Sequence, residues 1–215
     1  MKKQEGVEME QTVKKRKLQA IETKQKIFDA TMELVKENGI DHVQIEDITR
    51  KAGVSIGLFY KYFANKSDVI TEAINQESDI YYIDIKENYL NELRGEEKLL
   101  CFVWHIADYH ENKLHKEDLK HNYATILANP SRRQSITKEA RPIYAILAEC
   151  LEEMISDGQL AESVPVEMTA RHLTMLIRGT IFEYLLNDES FDIIGTSRHL
   201  VETYLSGLKA HREEV

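Results

Sequence analysis

Glycine and proline are scarce in this sequence, nine and three among 215 residues. That scarcity argues against a fold of many strands, since every strand reversal needs turn residues with special backbone angles. Cysteine is scarcer still: only Cys101 and Cys150 occur, without the spacing of a zinc ribbon or a disulfide framework, so both thiols are expected to be free in a reducing compartment. No apolar run is long enough to cross a bilayer, the longest, Leu99 to Ala107, being broken by His105. The N-terminal MKKQEGVEMEQ lacks the apolar centre of a secretory signal, so the expectation is a cytoplasmic protein with no membrane partner. A phosphate-cradling glycine loop, a G-x-S-x-G elbow and a paired-cysteine metal site are absent too, which leaves no motif for an enzyme, a cofactor or a structural metal.

What is present favours helix. Hydrophobic residues at 42% and charged residues at 30% make a globular composition rather than a disordered one. Long stretches of Leu, Ile, Ala, Glu and Lys are good helix formers, so the expected class is all-α. The net charge of −9 is unevenly spread: from Gln11 to Lys66 eleven Lys and Arg outnumber seven Asp and Glu by four, so the remaining residues carry −13. A basic N-terminal quarter on an acidic body makes nucleic acid a partner for the first part only.

Residues 1–20 are polar and close with Lys14-Lys15-Arg16-Lys17; they are expected to be a flexible arm that either adds DNA backbone contacts or serves solubility alone. A first helix is predicted from Thr23 as N-cap, burying Ile27, Ala30, Leu34 and Val35 and stopped by Asn38-Gly39. A short second helix, Ile45 to Ala52, ends at Gly53, and Ser55 caps a third from Ile56 to Tyr62. Asn65 caps a fourth from Lys66 to about Lys86. Further helices are predicted near 96–112, 116–128, 132–157, 165–187 and 190–210, with breaks at Pro130 and Pro165; Pro142 either kinks its helix or opens that helix's second half. The expected organisation is an arm over 1–20, a DNA-binding domain over 21–66, and an effector-binding and dimerisation domain over 67–215.

Two short helices joined by a tight glycine-containing turn can place the second in a DNA major groove. In IEDITRKAGVSIGLFYKYFANKSDVI, residues 45–70, the spacing buries Ile45, Ile48, Ala52, Val54, Phe59 and Phe63. It leaves Ile56, Gly57, Leu58, Lys61 and Tyr62 facing outward. Outward Ile56 and Leu58 suit thymine methyl groups, Gly57 permits close approach, Tyr60 and Tyr62 offer hydroxyls to phosphate, and Lys66 offers a charge.

The pattern A-G-V-S-x-G-x-x-Y-x-x-F-x-x-K, from Ala52 to Lys66, resembles the helix-turn-helix signature of the TetR/AcrR regulators. The resemblance implies an all-α homodimer with a small DNA-binding domain and a helical domain that senses a small molecule. It implies that Tyr60 and Lys66 contact phosphate, that Ile56, Gly57 and Lys61 face the groove, and that Gln44 sits at the DNA backbone. With Ser55, Leu58 and Tyr62 these make the candidate DNA surface. Gln44 stands where Thr or Ser is frequent in the family, Thr49 where Ala is frequent and Ile56 where a polar residue is frequent, so no operator sequence carries over.

In the larger domain Tyr82, Phe102, Trp104, His105, Tyr109 and Tyr123 are candidates to line a pocket for a small, largely apolar effector; the alternative is plain core. Trp104 and His105 lead because a buried indole N–H or imidazole must find a partner. His110-Glu111 followed by His115 imitates a zinc-protease pair, but a spacing of five turns the second ligand about 140° away, so no metal is expected. Towards the C-terminus Leu173, Ile177, Gly179 and Ile181, with Leu200, Tyr204 and Leu208, resemble the family's dimerisation bundle, the alternative being intramolecular core. The function implied is a ligand-responsive repressor that holds a pseudo-palindromic double-stranded operator as a homodimer and leaves it when effector binds. A ligand-independent architectural DNA binder would leave the acidic helical domain without a role.

Overall fold

The computed structural model describes residues 2–129, 136–138, 140–187 and 191–210, with side chains described from residue 14 to residue 209. These residues form α1 (Lys2–Asn38), a 3-10 turn (Ile40–His42), α2 (Ile45–Ala52), α3 (Ile56–Tyr62), α4 (Lys66–Tyr89), α5 (Gly95–Asn112), α6 (Lys116–Ala128), α7 (Pro142–Ser156), α8 (Val166–Leu186) and α9 (Ile193–Ala210). No strand occurs among the described residues. The chain divides into two compact units, up to Asn75 and from Gln76 onward. The division lies inside α4, beyond the 66/67 boundary expected from sequence, because Val69, Ile70 and Ile74 of α4 are buried in the first core.

The first unit begins differently from the sequence expectation. One helix runs through the expected arm, and Thr23 does not cap it: its hydroxyl donates to the Gln19 carbonyl at 2.7 Å, one turn back. The reason is propensity, since Lys, Gln, Glu, Leu and Ala fill the segment and no proline interrupts it. Lys14 to Lys17 are exposed along this helix. The helix ends where expected, Gly39 taking φ 77° while its N–H closes on the Val35 carbonyl at 2.8 Å. Ile27, Ile40, Val43, Ile48, Phe59 and Phe63 are buried together, Phe63 meeting both Phe28 and Phe59 at 5.5 Å between ring centres. Truncating either buried ring to Ala would cost about 3–5 kcal/mol.

In the second unit α5 packs against α7 and α9, and α8 against α7 and α9, around Leu99, Phe102, Ile106, Leu147, Leu151, Leu173, Ile177, Val201 and Leu205. Pro142 opens α7 at its first turn, where its missing N–H has no helical partner to lose, which is the second of the two alternatives expected for the segment 132–157. The break expected at Pro130 lies outside the described residues. An ionic cluster ties α5 to α7: Lys98, whose side chain is 8% exposed, reaches Glu149 at 2.6 Å and Glu153 at 2.8 Å. Glu153 also accepts the Gly95 N–H at 3.0 Å, and Lys86 of α4 pairs with Glu149.

Candidate nucleic-acid interface and effector interior

Each part of the helix-turn-helix is built by local chemistry. Gly53 ends α2 in the left-handed region, φ 66° and ψ 34°, which a β-carbon would strain. The turn is closed by the Val54 N–H on the Thr49 carbonyl at 3.0 Å. Ser55 caps α3 as expected, its hydroxyl accepting the Leu58 N–H at 3.2 Å. Asn65 caps α4 through the Asp68 N–H at 2.9 Å, and Asp68 in turn accepts the Ala64 N–H at 3.2 Å. Phe59 anchors α3 in the core, which fixes its opposite face outward.

That outer face carries Ile56, 46% exposed, with Gly57, Tyr60 and Lys61 also exposed, and Ser55 and Gln44 exposed at the two caps. Leu58 and Tyr62 depart from the outward expectation: both are half-buried, and Tyr62 packs against the Phe59–Phe63 cluster. Residues two apart on a helix point away from each other, so Leu58 cannot share a face with Ile56 or Tyr60. Lys66 is half-buried, its ammonium donating to the Ile40 and Asp41 carbonyls at 3.3 and 3.4 Å, which leaves one of its three protons for an outside acceptor. A β-carbon on Gly57 would meet nothing within 4 Å, so nothing inside the protein requires that glycine.

In the second unit the interior gathers some of the aromatic candidates and expels others. Tyr82 and Phe102 are buried with ring centres 5.8 Å apart, Tyr109 is buried and stacked on Tyr81 at 4.2 Å, and the half-buried Tyr123 packs on the same core. Burial pushes the Tyr123 phenol up to about 12 and raises that of Tyr82, against the downward pull of Arg141 and Arg178 on both. Trp104 is 42% exposed and lines a surface hollow with Leu93, Leu100 and Arg198, so it does not join the interior tyrosines. The half-buried His105 rests against Tyr89 at 4.3 Å, and burial lowers its pKa. Helical phase explains both: Phe102, Val103, Ile106 and Tyr109 take the inner face of α5 and turn Trp104 outward.

His110 is buried, its Nδ1 2.8 Å from the Ile106 carbonyl, and burial holds its pKa down to about 4; His115 is exposed at the start of α6, so the two do not form a pair. Burial pushes the Cys150 thiol up to about 12 and raises that of half-buried Cys101. Neither is an activated thiol.

The candidate dimer residues split. Leu173, Ile177 and Ile181 are buried in the unit's own core, where they pack with Leu151 and Val201, so they are unavailable to a second chain. Tyr204 and Leu208 are half-buried against that core, while Gly179 and Leu200 are exposed. The exposed face of α8 instead carries Met168, His172, Met175, Gly179, Phe182 and Leu186, alternating four and three residues apart. Sequence reasoning missed this stripe, although its period was visible. His172 meets the Tyr204 hydroxyl of α9 at 2.8 Å beside it.

Comparison with known proteins decides what this architecture belongs to. Residues 27–73 match the family model for bacterial regulatory proteins of the tetR family, and residues 131–210 match that for the C-terminal region of MAATS-type transcriptional repressors. The chain belongs to the TetR family. As a TetR-family protein it is a DNA-binding, ligand-responsive transcriptional repressor and not an enzyme. It is 26% identical over 188 residues to the fatty acid metabolism regulator protein of Bacillus subtilis, covering 85% of this chain and 93% of that one. Identity to the transcriptional regulator AcrR of Shigella flexneri is 24% over 211 residues, covering 89% and 94%. Among solved structures, FadR from Bacillus subtilis in complex with stearoyl-CoA aligns with a TM-score of 0.60 at 25% identity, covering 85% of this chain and 98% of that one. Thermus thermophilus FadR has the same fold, with a TM-score of 0.70 at 23% identity over 86% and 94%. No helix of the described residues of this TetR-family repressor is long and apolar enough to cross a membrane.

Proposed function

We propose that this TetR-family repressor binds a pseudo-palindromic operator as a homodimer, using the outer face of α3 in the first unit, and leaves it when the second unit binds a long-chain acyl amphiphile. The observation that carries the DNA part is the pairing of exposed Ile56 with Gly57, an apolar side chain and a missing one that the protein's own packing does not explain. Both suit a base edge at close range. Tyr60 and Lys61, exposed on the same short helix, and Lys66, Ser55 and Gln44 at the flanking caps, supply phosphate contacts that position it. Leu58 and Tyr62 support α3 from behind.

The exposed Met168, Met175, Gly179, Phe182 and Leu186 stripe of α8, with Leu200 and Tyr204 of α9, supports the homodimer. Large apolar side chains repeated along one helix face need a cover, and Gly179, where an added β-carbon would meet nothing within 4 Å, lets a second helix come close. The acyl effector is supported by the relative named for fatty acid metabolism and by the FadR complex with stearoyl-CoA. An apolar interior built from Tyr82, Phe102, Tyr109, Tyr123 and aliphatic residues suits such a chain. The test is fluorescence anisotropy on an operator selected from a random DNA pool, titrated with lauroyl-CoA. Release of the operator by lauroyl-CoA, and none by coenzyme A alone, is expected; an operator complex indifferent to lauroyl-CoA would overturn the effector assignment.

A further inference from the structure

Arg178, on α8, is a half-buried guanidinium with no carboxylate partner among the described residues: it donates to the Ile136 carbonyl and lies over the Tyr144 ring, 5.6 Å from its centre. Arg141, whose side chain is 10% exposed, lies in the same neighbourhood and is bound to Asp79 at 2.8–2.9 Å. Both arginines are near enough to Tyr82 and Tyr123 for their charges to act on the phenols. Glu77, on the same helix as Asp79, acts with its charge on the Tyr109 phenol. One turn of α6 also holds two unsatisfied polar atoms beside Tyr123: the amide oxygen of Asn122, a residue 3% exposed, and Nε2 of His121.

A cation removed from water is costly unless an anion or a full set of acceptors replaces the hydration. Arg178 has no such anion among the described residues, whereas Arg141 is bonded to Asp79. The positive charge of Arg178 lies within electrostatic reach of two phenols, whose hydroxyls can donate. We propose that Arg178, with Arg141 and the phenols of Tyr82 and Tyr123, forms the site for an anionic group on the effector. The site selects an anionic amphiphile over a neutral one of the same length, the anion being either the carboxylate of a fatty acid or a phosphate of its coenzyme A thioester. Arg178 is the group that binds it. Arg141, already held by Asp79, adds long-range attraction. The inference rests on the acyl effector proposed above.

The test uses full-length protein and calorimetric titration with laurate, lauroyl-CoA, dodecanol and coenzyme A alone. Wild type is expected to bind laurate, lauroyl-CoA or both at least tenfold more tightly than dodecanol, the margin of a charge-assisted hydrogen bond. Arg178→Gln should remove that tenfold preference while changing dodecanol affinity less than twofold, and Arg178→Lys should restore most of it. Preference for laurate assigns the carboxylate; preference for lauroyl-CoA alone, with measurable binding of coenzyme A, assigns the phosphate. Operator affinity without effector and the melting temperature report whether Arg178→Gln is folded; if it is not, Arg178→Lys and the wild-type comparison of laurate with dodecanol decide. Wild type that binds dodecanol as well as the anions, or a folded Arg178→Gln that keeps the preference, overturns the site while leaving an acyl effector standing. Wild type that binds none of the four ligands overturns both.

Discussion

Gly57 occupies the first turn of α3, where glycine costs a few tenths to about 1 kcal/mol relative to alanine and no neighbour demands it. Gly57→Ala should therefore leave the repressor as stable as wild type or up to about 1 kcal/mol more stable in urea unfolding, while weakening operator binding in the same preparation. A variant with undiminished DNA affinity would take Gly57 out of the interface. Lys66 and Ile56 separate positioning from reading. Lys66→Ala should weaken binding to all sequences alike and lower the slope of log affinity against log salt by about 0.9 per lost contact, roughly 2 per dimer. Ile56→Ala should change the preferred base at one operator position and leave the slope alone, because an apolar contact releases no counterion. Single-base operator variants titrated at several salt concentrations check both. At this scale the sequence was legible wherever chemistry is local: the Ser55 and Asn65 caps and the Gly53 turn depend on neighbours within five residues. Arg141 and Arg178 were not legible, because the Asp79 partner of one lies 62 residues away and the other's importance rests on what is missing around it.

Helices α1, α5, α7 and α8 show what helical period alone can and cannot decide. On α8 two stripes run side by side, Leu173, Ile177 and Ile181 toward the core and Met168, Met175, Gly179 and Phe182 toward solvent. Both are apolar, so the spacing that found the helix could not tell which stripe faces the chain's own core. Placing an arginine on the outer stripe distinguishes them: Gly179→Arg should yield monomers in sedimentation with helix content retained, since Gly179 is exposed and a β-carbon there meets nothing within 4 Å. An unchanged dimer would move the interface elsewhere. The α5–α7 tie gives a pH prediction. Burial alone would raise the Glu149 and Glu153 carboxyls, but hydrogen bonds from Lys86 and Lys98 to Glu149, and from Lys98 and the Gly95 N–H to Glu153, outweigh it and hold both below the usual range. Burial alone would lower Lys98; its bonds to the same carboxylates raise it instead. Depressed carboxylates stabilise the fold above an unfolded pKa of about 4.3 and lose that contribution as pH falls through their folded values; the raised lysine contributes below about 10.4 and loses it only in stronger base. Melting temperature should thus be insensitive to this cluster from about pH 5 to 10 and fall in acid, and Lys98→Met should flatten the acid limb. An acid limb identical to that of wild type would remove the cluster from that role.

For the whole molecule, fold class was legible from the scarcity of glycine and proline and the abundance of helix formers, and a nucleic-acid partner for the first part from the charge contrast, because these are bulk properties that tertiary contacts do not overturn. The division between units was less so, since α4 supplies Val69 and Ile70 to one core and Tyr82 and Ile85 to the other without a break in its pattern. A dimer carrying two copies of α3 would present them about one DNA turn apart, roughly 34–36 Å. Moving such a dimer from mostly bound to mostly free requires the effector to favour the free conformation by several kcal/mol. The most direct measurement is selection of operators from a random DNA pool by the full-length repressor, followed by titration of the enriched sequence with wild type and Gly179→Arg. The expected result is an inverted repeat whose half-site centres lie about 10 base pairs or a multiple of that spacing apart, bound by wild type and largely lost by the Gly179→Arg monomer. A single asymmetric site, or full affinity in a demonstrated monomer, would contradict the account.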